Sequence, residues 1–364
     1  MDFFNTHISP KAIELATQVL KSGWISEGKM VKEFEIQLNK RLGLANPVAL
    51  NSGTSALHLA LVLAGVGPGD EVIIPAQTFV ATGLVVLMQR ANPVFADIDP
   101  TTGNISVASI KEKITDRTKA IIPVHWGGYP CDLDEINELA TQHNLIVIED
   151  AAHALGATYK GKPVGSISRF SAFSFQAIKH LTTGDGGALA CMDAVDSKNA
   201  FVRRWFGIDR TNSKPSILGE RIYDITELGF KYHMNDLAAV VGLGNIENFS
   251  EWLSRRREIA VLYRKEFANV AGLQLMNWKK DRESASWLFT ILVENREDFI
   301  RKLSEREISA SVVHLRIDQN SVFGGIKNLP NQKWFNERQV SIPVHESLRD
   351  CDIELIVKSI KEGW

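Results

Sequence analysis

A single lysine lies between an aromatic, strand-like run and a glycine-rich turn. The residues Phe173 to Phe175 precede Lys179, and Gly184 to Gly187 follow it. Partial burial lowers the pKa of an amine, and a neutral amine can form a Schiff base with a carbonyl. Taken alone, the segment also fits a lysine with no chemical role.

Two carboxylates and a histidine follow a second apolar run. Glu149 and Asp150 come directly after Val147 and Ile148, and His153 lies three residues further on. Adjacent side chains on a strand point to opposite faces, so the two carboxylates are not expected to act as a pair and only one should face a site. The alternative is a strand-end turn in which Asp150 caps the next helix.

The third segment is a turn of small residues that leads into a predicted helix. Ser52, Gly53 and Thr54 precede an apolar helical pattern, and the free N–H groups of such a helix start suit a phosphate. Ser and Thr are also ordinary helix caps, and this segment alone does not separate the two interpretations. A fourth segment, Gly229 to Asp236, is a loop that enters an apolar helix.

Strand-like apolar runs alternate with helical segments through the first two thirds of the chain. Such alternation is typical of a parallel sheet with right-handed crossovers and predicts an α/β fold. Ligands bind beyond the carboxyl ends of the strands in open sheets of this kind. Polar residues that follow the predicted strands there are Asp97, Asp99, His125, Glu149 and Asp150.

The pattern changes after about residue 245. We predict a large domain over residues 1–244, with an N-terminal segment that can pack on a smaller α+β domain over residues 245–364. The triplet Arg255 to Arg257 is flanked by Glu251 and Glu258, which favours a solvated helix face over a nucleic-acid patch.

Composition excludes several classes of protein. The 364 residues carry 41 Lys and Arg against 43 Asp and Glu, a net charge of -2 that argues against a nucleic-acid partner. The longest apolar stretch, Phe79 to Met88, is shorter than the ~20 residues that span a membrane. We therefore expect a soluble, cytoplasmic protein with no membrane partner.

Cysteine and histidine spacing gives no sign of a metal. Cys131, Cys191 and Cys351 are widely scattered without a C-x-x-C pair, which suits a reducing compartment and rules out a cysteine-built zinc site. No H-x-x-x-H pair occurs either. The sequence predicts no metal site.

Several segments in one order resemble the DegT/DnrJ/EryC1/StrS family of sugar aminotransferases. The resemblance begins at the segment Gly23 to Gly28 and extends to the C-terminal segment QVSIPVHESL. Its central segments are NSGTSAL, GDEVIIPAQTFVAT, IEDAAHALGA, SFSFQAIKHLTTGDGG and GFKYHMNDLAA. It implies a pyridoxal 5'-phosphate (PLP) enzyme of the aspartate-aminotransferase fold, with a mostly parallel seven-stranded-type sheet in the large domain, and a homodimer with shared active sites.

The resemblance also implies a role for each matching residue. Lys179 would hold PLP as an internal aldimine and later move a proton, and Asp150 would hydrogen-bond the pyridine nitrogen. His153 would lie beside the phenolic oxygen and Phe79 would stack on the ring. The residues that would bind the phosphate are Gly53, Thr54, Ser174 and, from the neighbouring subunit, Lys231.

The chain departs from the family pattern in the fourth segment. The family commonly has Asn at the position of Lys231 and Arg at that of His233. An ammonium suits a phosphate, so phosphate binding is still expected at Lys231. Detailed substrate contacts of other members do not transfer across these departures.

Three further residues are candidates for substrate contact. His125 and Trp126 follow a strand in PVHWGGYP, and His314 lies in the region where the family binds substrate. His125 has a second interpretation, a position outside the site. His180 adjoins Lys179, and its ring should point away.

The resemblance predicts transfer of an amine from an amino acid, L-glutamate, to a keto sugar linked to a nucleotide, with pyridoxamine 5'-phosphate (PMP) as the intermediate. One alternative is a PLP-dependent keto-deoxysugar dehydratase, a branch that has His at the lysine position. Another is a non-catalytic regulatory protein, which should lack Lys179 or Asp150. An NAD-binding protein is disfavoured, since no G-x-G-x-x-G turn follows the first strand.

Overall fold

The computed structural model describes residues 1–210 and 213–364. The helices in the described residues are α1 (Pro10–Ser22), α2 (Lys29–Leu42), α3 (Gly53–Leu63), α4 (Ala81–Met88), α5 (Val107–Lys113), α6 (Leu133–Gln142), α7 (Ala194–Arg203), α8 (Asp236–Asn245), α9 (Phe249–Glu266), α10 (Arg296–Ser304), α11 (Pro330–Arg338) and α12 (Asp350–Lys361).

The strands of the same residues are β1 (Val48–Leu50), β2 (Glu71–Pro75), β3 (Asn92–Ala96), β4 (Thr118–Ile121), β5 (Ile146–Asp150), β6 (Thr158–Tyr159), β7 (Lys162–Pro163), β8 (Phe170–Ser174), β9 (Gly187–Cys191), β10 (Lys214–Pro215), β11 (Arg221–Ile222), β12 (Leu273–Leu275), β13 (Arg282–Glu283), β14 (Phe289–Val293) and β15 (Gln339–Ile342). Short 3-10 turns cover Trp126–Gly128, Ile317–Gln319 and Ser321–Phe323.

Seven strands form the main sheet, in the order β1-β9-β8-β5-β4-β2-β3. Strands β8, β5, β4, β2 and β3 are parallel to one another, whereas β9 is antiparallel to both β8 and β1. The predicted α/β fold with a mostly parallel sheet is confirmed. In parallel pairing the carboxyl ends of β2, β4, β5 and β8 meet at one edge, where the polar residues were expected.

Helices cover both faces of this sheet. Val72 and Ile74 of β2 pack with α3 and α4, while Ile73 between them packs with α5 and α6 on the opposite face. Because successive strand residues point to opposite faces, a strand buried on both sides must be apolar throughout. This is why the strands appear in the sequence as continuous apolar runs.

A second, antiparallel sheet of order β12-β14-β15 lies in the C-terminal part of the chain. Its core joins Phe289 and Ile291 of β14 with Tyr263 of α9, Phe299 of α10 and Ile356 of α12. We propose that the boundary between the two domains lies between α8 and α9, near residue 245.

The arginine triplet of α9 is not a solvated face, and that prediction was wrong. Arg256 is buried and pairs with Glu346 at 2.9 Å, while Arg257 donates to the carbonyls of Ser284 and Gly156. Arg255 pairs with Asp350. The arginines tie α9 to its neighbours, which sequence charge alone does not reveal.

None of the helices in the described ranges has the length and apolar character that crossing a membrane requires.

Candidate active site

A cavity of about 350 Å³ opens where β2, β5 and β8 end, within the size range of small-molecule sites. The residues that line this cavity lie up to 262 positions apart in the sequence, from Ser52 to His314. The predicted site residues that line it are Gly53, Thr54, Phe79, Asp150, His153, Ser174, Lys179 and His314.

Asp150 ends β5 and is buried at the cavity wall. Burial raises the pKa of its carboxyl, against the opposing effects of a hydrogen bond from Thr82, a bond from the Ala152 N–H and the charge of Lys179. Glu149 points to the opposite side of the sheet, as alternation requires. Its carboxylate accepts bonds from His125, Ser168 and Ser171 and does not line the cavity.

Lys179 lies in the segment between β8 and β9. Its Nζ lies 3.7 Å from the ring centroid of Trp287, within the range of a cation–π contact. Burial lowers the pKa of Lys179 to about 7, although the charge of Asp150 acts in the other direction. A large fraction of this amine is therefore neutral near pH 7, as nucleophilic attack on a carbonyl requires.

His153 stacks on Trp287 with ring centroids 3.8 Å apart and planes 20° apart. Its Nδ1 is buried and has no hydrogen-bond partner in the protein. Burial, followed by the charge of Lys179, holds the pKa of His153 well below its ordinary value. A neutral imidazole with an unpaired nitrogen at a cavity wall is suited to bond a ligand.

The first turn of α3 forms another part of the cavity wall. The Ser52 hydroxyl accepts a bond from the Ser55 N–H, so the capping interpretation holds for Ser52, while Gly53 and Thr54 line the cavity. Close packing requires glycine here: a Cβ on Gly187 of β9 would lie 2.4 Å from the carbonyl carbon of Ser52. Free N–H groups at this helix start favour an anion.

Phe79 and His314 form one wall of the cavity, with ring centroids 5.2 Å apart. Phe79 is 53% exposed, which leaves an aromatic face open to a ligand. Burial lowers the pKa of His314 to about 4, so its ring is neutral at physiological pH. The residues before His314 and Trp287, Val313 and Ser286, have positive φ angles of 56° and 50°, a backbone conformation that residues other than glycine rarely adopt.

Three predicted residues do not line the cavity. His125 is fully buried; its Nδ1 accepts a bond from the Cys131 N–H and its Nε2 lies 2.8 Å from Glu149 Oε2. Trp126 is buried behind the cavity, edge-on to both His153 and His314. The expectation that His125 and Trp126 contact substrate is therefore corrected, because packing below the sheet edge encloses both rings.

Lys231 also lies outside the cavity of its own chain. It is exposed, and its Nζ lies 3.9 Å from the ring centroid of Trp205. His233, where the family commonly has Arg, packs edge-on against the same indole at 4.2 Å. Glu27, which precedes α2, pairs with Arg204 at 2.8 Å and with Arg210, and so links this region to the segment that follows α7.

His180 points away from the cavity, as its Nε2 lies 2.8 Å from the Ala285 carbonyl oxygen. Sequence reasoning missed Trp287 and Thr82, which contact Lys179 and Asp150. Thr82 is a polar residue within the apolar run of α4, and this was the one sequence signal that could have revealed it. Nothing in the sequence around Trp287 distinguishes it from a core tryptophan.

The site fits one cofactor. A neutral lysine amine and a buried carboxylate line one cavity that also has an open aromatic face, an unpaired imidazole nitrogen and an anion-binding helix start. These are groups that hold the aldehyde, ring and phosphate of PLP, and the fold and site define a PLP-dependent enzyme. The DegT/DnrJ/EryC1/StrS aminotransferase family profile matches residues 6–361, and the chain belongs to this family.

Relatives of known name support this assignment. The chain is 36% identical to spore coat polysaccharide biosynthesis protein SpsC of Bacillus subtilis, over 98% of this chain and 95% of that protein. It is 35% identical to a UDP-4-amino-4-deoxy-L-arabinose–oxoglutarate aminotransferase of Shewanella sediminis, over 98% and 96%. It is 34% identical to GDP-perosamine synthase of Caulobacter vibrioides, over 95% and 93%.

Solved structures of sugar aminotransferases have the same fold as this chain. The sugar aminotransferase CalS13 of Micromonospora echinospora superposes with a TM-score of 0.95 at 35% identity, covering 100% of both chains. Spr1654 of Streptococcus pneumoniae, with structures of its PLP and PMP forms, has a TM-score of 0.91 at 30% identity, over 100% of this chain and at least 97% of that one. The protein is a PLP-dependent sugar aminotransferase.

Proposed function

We propose that the protein transfers the amino group of L-glutamate to the keto group of a nucleotide-linked sugar. The observation that carries the proposal is the convergence of Lys179 and Asp150 on one cavity beside the open face of Phe79. This arrangement provides a nucleophilic amine, a buried carboxylate and a stacking surface together.

PLP, when bound, supplies an electron sink and carries the amino group between the two substrates as PMP. Asp150 would hold a proton on the ring nitrogen, because a buried carboxylate favours the charged form of a base beside it. The free amine of Lys179 would move a proton between the substrate carbon that bears the nitrogen and C4′ of the cofactor. His153 would orient the ring through its unpaired Nδ1, and Gly53, Thr54 and Ser174 would hold the phosphate.

The choice of substrates rests on the names of relatives. The Shewanella protein is named for oxoglutarate, the keto acid that glutamate leaves behind, and its sugar is linked to UDP. The Caulobacter protein is named for a GDP-linked sugar. A nucleotide-linked keto sugar is therefore the acceptor class that we propose. A cytoplasmic location, which the three free cysteines suit, is part of this proposal.

We also propose a homodimer in which Lys231 binds the phosphate in the partner's cavity. The exposed position of Lys231 outside its own cavity supports this proposal. Large apolar side chains close to it in sequence are unusually exposed, with Ile217 at 101%, Leu218 at 82% and Leu228 at 74%. Large apolar side chains with this much exposure favour burial against another chain.

The dehydratase alternative is disfavoured. It would need a histidine in place of Lys179, and the adjacent His180 is bonded to the Ala285 carbonyl and is absent from the cavity wall. A non-catalytic role would be expected to remove Lys179 or Asp150, and both line the cavity.

The test is a panel of UDP- and GDP-linked 3-keto and 4-keto sugars, each incubated with the holoenzyme and ¹⁵N-labelled glutamate. Mass spectrometry should find one amino sugar that carries ¹⁵N, together with an equal amount of 2-oxoglutarate. Lys179→Ala serves as the blank. Release of 2-oxoglutarate without any aminated sugar would leave glutamate as the donor and exclude the acceptor class. Deoxygenated, unaminated products would favour the dehydratase.

A further inference from the structure

The first nine residues cross from the small sheet's domain to the loop that carries Lys179. At its start this segment, residues 1–9, packs Met1 against the small-domain core, and the Ser309 N–H donates to the Met1 carbonyl at 3.2 Å. Asn5 Nδ2 donates to Ser347 Oγ at 2.6 Å. The segment is therefore anchored to the small domain before it reaches the large one.

Carbonyls on both sides of Lys179 are held by this segment or by residues that it contacts. Thr6 Oγ1 donates to the Ala177 carbonyl at 3.0 Å. Asn245 accepts a bond from the Ser9 N–H at 2.8 Å and donates to the Thr182 carbonyl at 3.1 Å. Asn245 thus bridges the segment to the far side of the lysine loop.

Trp287 forms a third link between the segment and the lysine. Phe4 stacks on the Trp287 ring, with centroids 5.2 Å apart and planes 20° apart. The indole N–H donates to the Ile178 carbonyl at 3.0 Å, and the Lys179 Nζ lies 3.7 Å from the centroid of the ring. Phe4 fixes the ring on which the lysine nitrogen rests.

We propose that residues 1–9 are a positioning element for Lys179, acting through Thr6 on the loop and through Phe4 on Trp287. A long lysine side chain loses considerable rotamer entropy when it is held for reaction. If the loop and the indole already restrict the side chain in the folded protein, less entropy is lost in the reaction step itself. The inference rests on the proposed role of Lys179. Phe4 and Thr6 are positioning residues, since neither lines the cavity.

The test measures how fast the full-length protein, freed of cofactor, captures PLP. At saturating PLP the first-order appearance of the visible band reports the step in which the neutral Lys179 amine adds to the aldehyde carbon and one water is lost. Thr6→Val removes the hydroxyl and should slow this step about 3-fold, as expected for one neutral hydrogen bond. Phe4→Ala removes the stacked ring and should slow it about 10-fold.

Controls separate positioning from general damage. Thr6→Ser keeps the hydroxyl, and Thr17→Val makes the same change where the hydroxyl bonds only the Ile13 carbonyl within α1; both should match wild type. The dissociation constant of PMP, which has no aldehyde, should be unchanged in every variant. Thr6 is exposed, so Thr6→Val carries the test even if Phe4→Ala folds poorly.

Wild-type rates in both Thr6→Val and Phe4→Ala would overturn the inference and leave the proposed function intact. An equal loss of PMP affinity would also overturn it, because the segment would then only maintain the cavity. A wild-type protein that forms no band on Lys179 would remove the proposed role of the lysine, and the inference with it.

Discussion

The hydroxyl of Thr82 donates a hydrogen bond to Asp150 Oδ2 over 2.7 Å, inside the protein. The Thr78 hydroxyl lies 2.7 Å from that of Thr82, and because the proton of Thr82 points at Asp150, Thr78 must be the donor to Thr82. Burial raises the pKa of Asp150, and the bond from Thr82 is the largest opposing effect. The two threonines therefore help to keep this carboxylate ionised.

Removal of the Thr82 hydroxyl should slow turnover. Thr82→Val keeps the shape but leaves a buried carboxylate oxygen without its donor, at a cost of about 1–3 kcal/mol. We expect kcat to fall about 10-fold or more, with PLP still bound. Steady-state kinetics and the visible spectrum measure the two effects, and Thr82→Ser should restore kcat. A Thr82→Val enzyme as fast as wild type would exclude this role.

Capture of PLP by the cofactor-free protein should follow the charge of Lys179. With the pKa lowered to about 7, the neutral fraction rises from about a tenth at pH 6 to about nine tenths at pH 8. The capture rate should rise about tenfold over this interval and then level off. His314, whose pKa is lowered to about 4, stays neutral over this interval, and burial lowers the pKa of His153 in the same direction. A rate that keeps rising to pH 10 would indicate an ordinary, solvated lysine.

Mixed dimers test whether Lys231 acts in the partner's cavity. Lys179→Ala and Lys231→Ala proteins should each have little activity alone. After subunit exchange, half of the dimers are mixed and each contains one intact site, so about a quarter of wild-type activity should return. Two Lys179→Ala preparations mixed in the same way provide the control. No recovery despite proven exchange would mean that Lys231 serves its own subunit or neither.

Loss of Glu149 should affect stability rather than chemistry. Burial alone would raise its pKa, but hydrogen bonds from His125 and Ser168 hold the pKa below its ordinary value. Glu149→Ala leaves these donors and the Ser171 hydroxyl unpaired, which should lower the free energy of unfolding by about 3 kcal/mol or more. Urea denaturation measures the change. The exposed Glu33→Ala should shift it by less than about 0.5 kcal/mol.

The structure explains why the sequence predicted some site residues and not others. Lys179, Asp150 and His153 each lie in a local segment whose order along the chain is distinctive, so their side chains could be chosen before the fold was known. His125 also follows a strand, but its two ring nitrogens are bonded to Glu149 and to the Cys131 backbone. Strand-end position alone does not indicate whether a side chain faces the cavity or the layer beneath it.

Trp287, in contrast, lies at the cavity and was not predicted from the sequence. It lies 108 positions beyond Lys179, in the segment that precedes β14, and no nearby residue distinguishes it from a core tryptophan. Its contacts with Lys179, His153 and Phe4 arise only when the segment before β14 and residues 1–9 pack against the lysine loop. Long-range contacts likewise bury Arg256 of α9 beside Glu346, although the charge pattern predicted a solvated face.

The sequence by itself determined the alternation of strands and helices and the family, and it predicted residues for the main chemical roles, because these depend on local pattern and short motifs. Tertiary structure alone decided which side chains share the cavity, that Thr82 supports Asp150 and that Trp287 supports Lys179. It also decided the pKa of about 7 at Lys179, since burial is the main cause of that shift and depends on chain segments far apart in sequence.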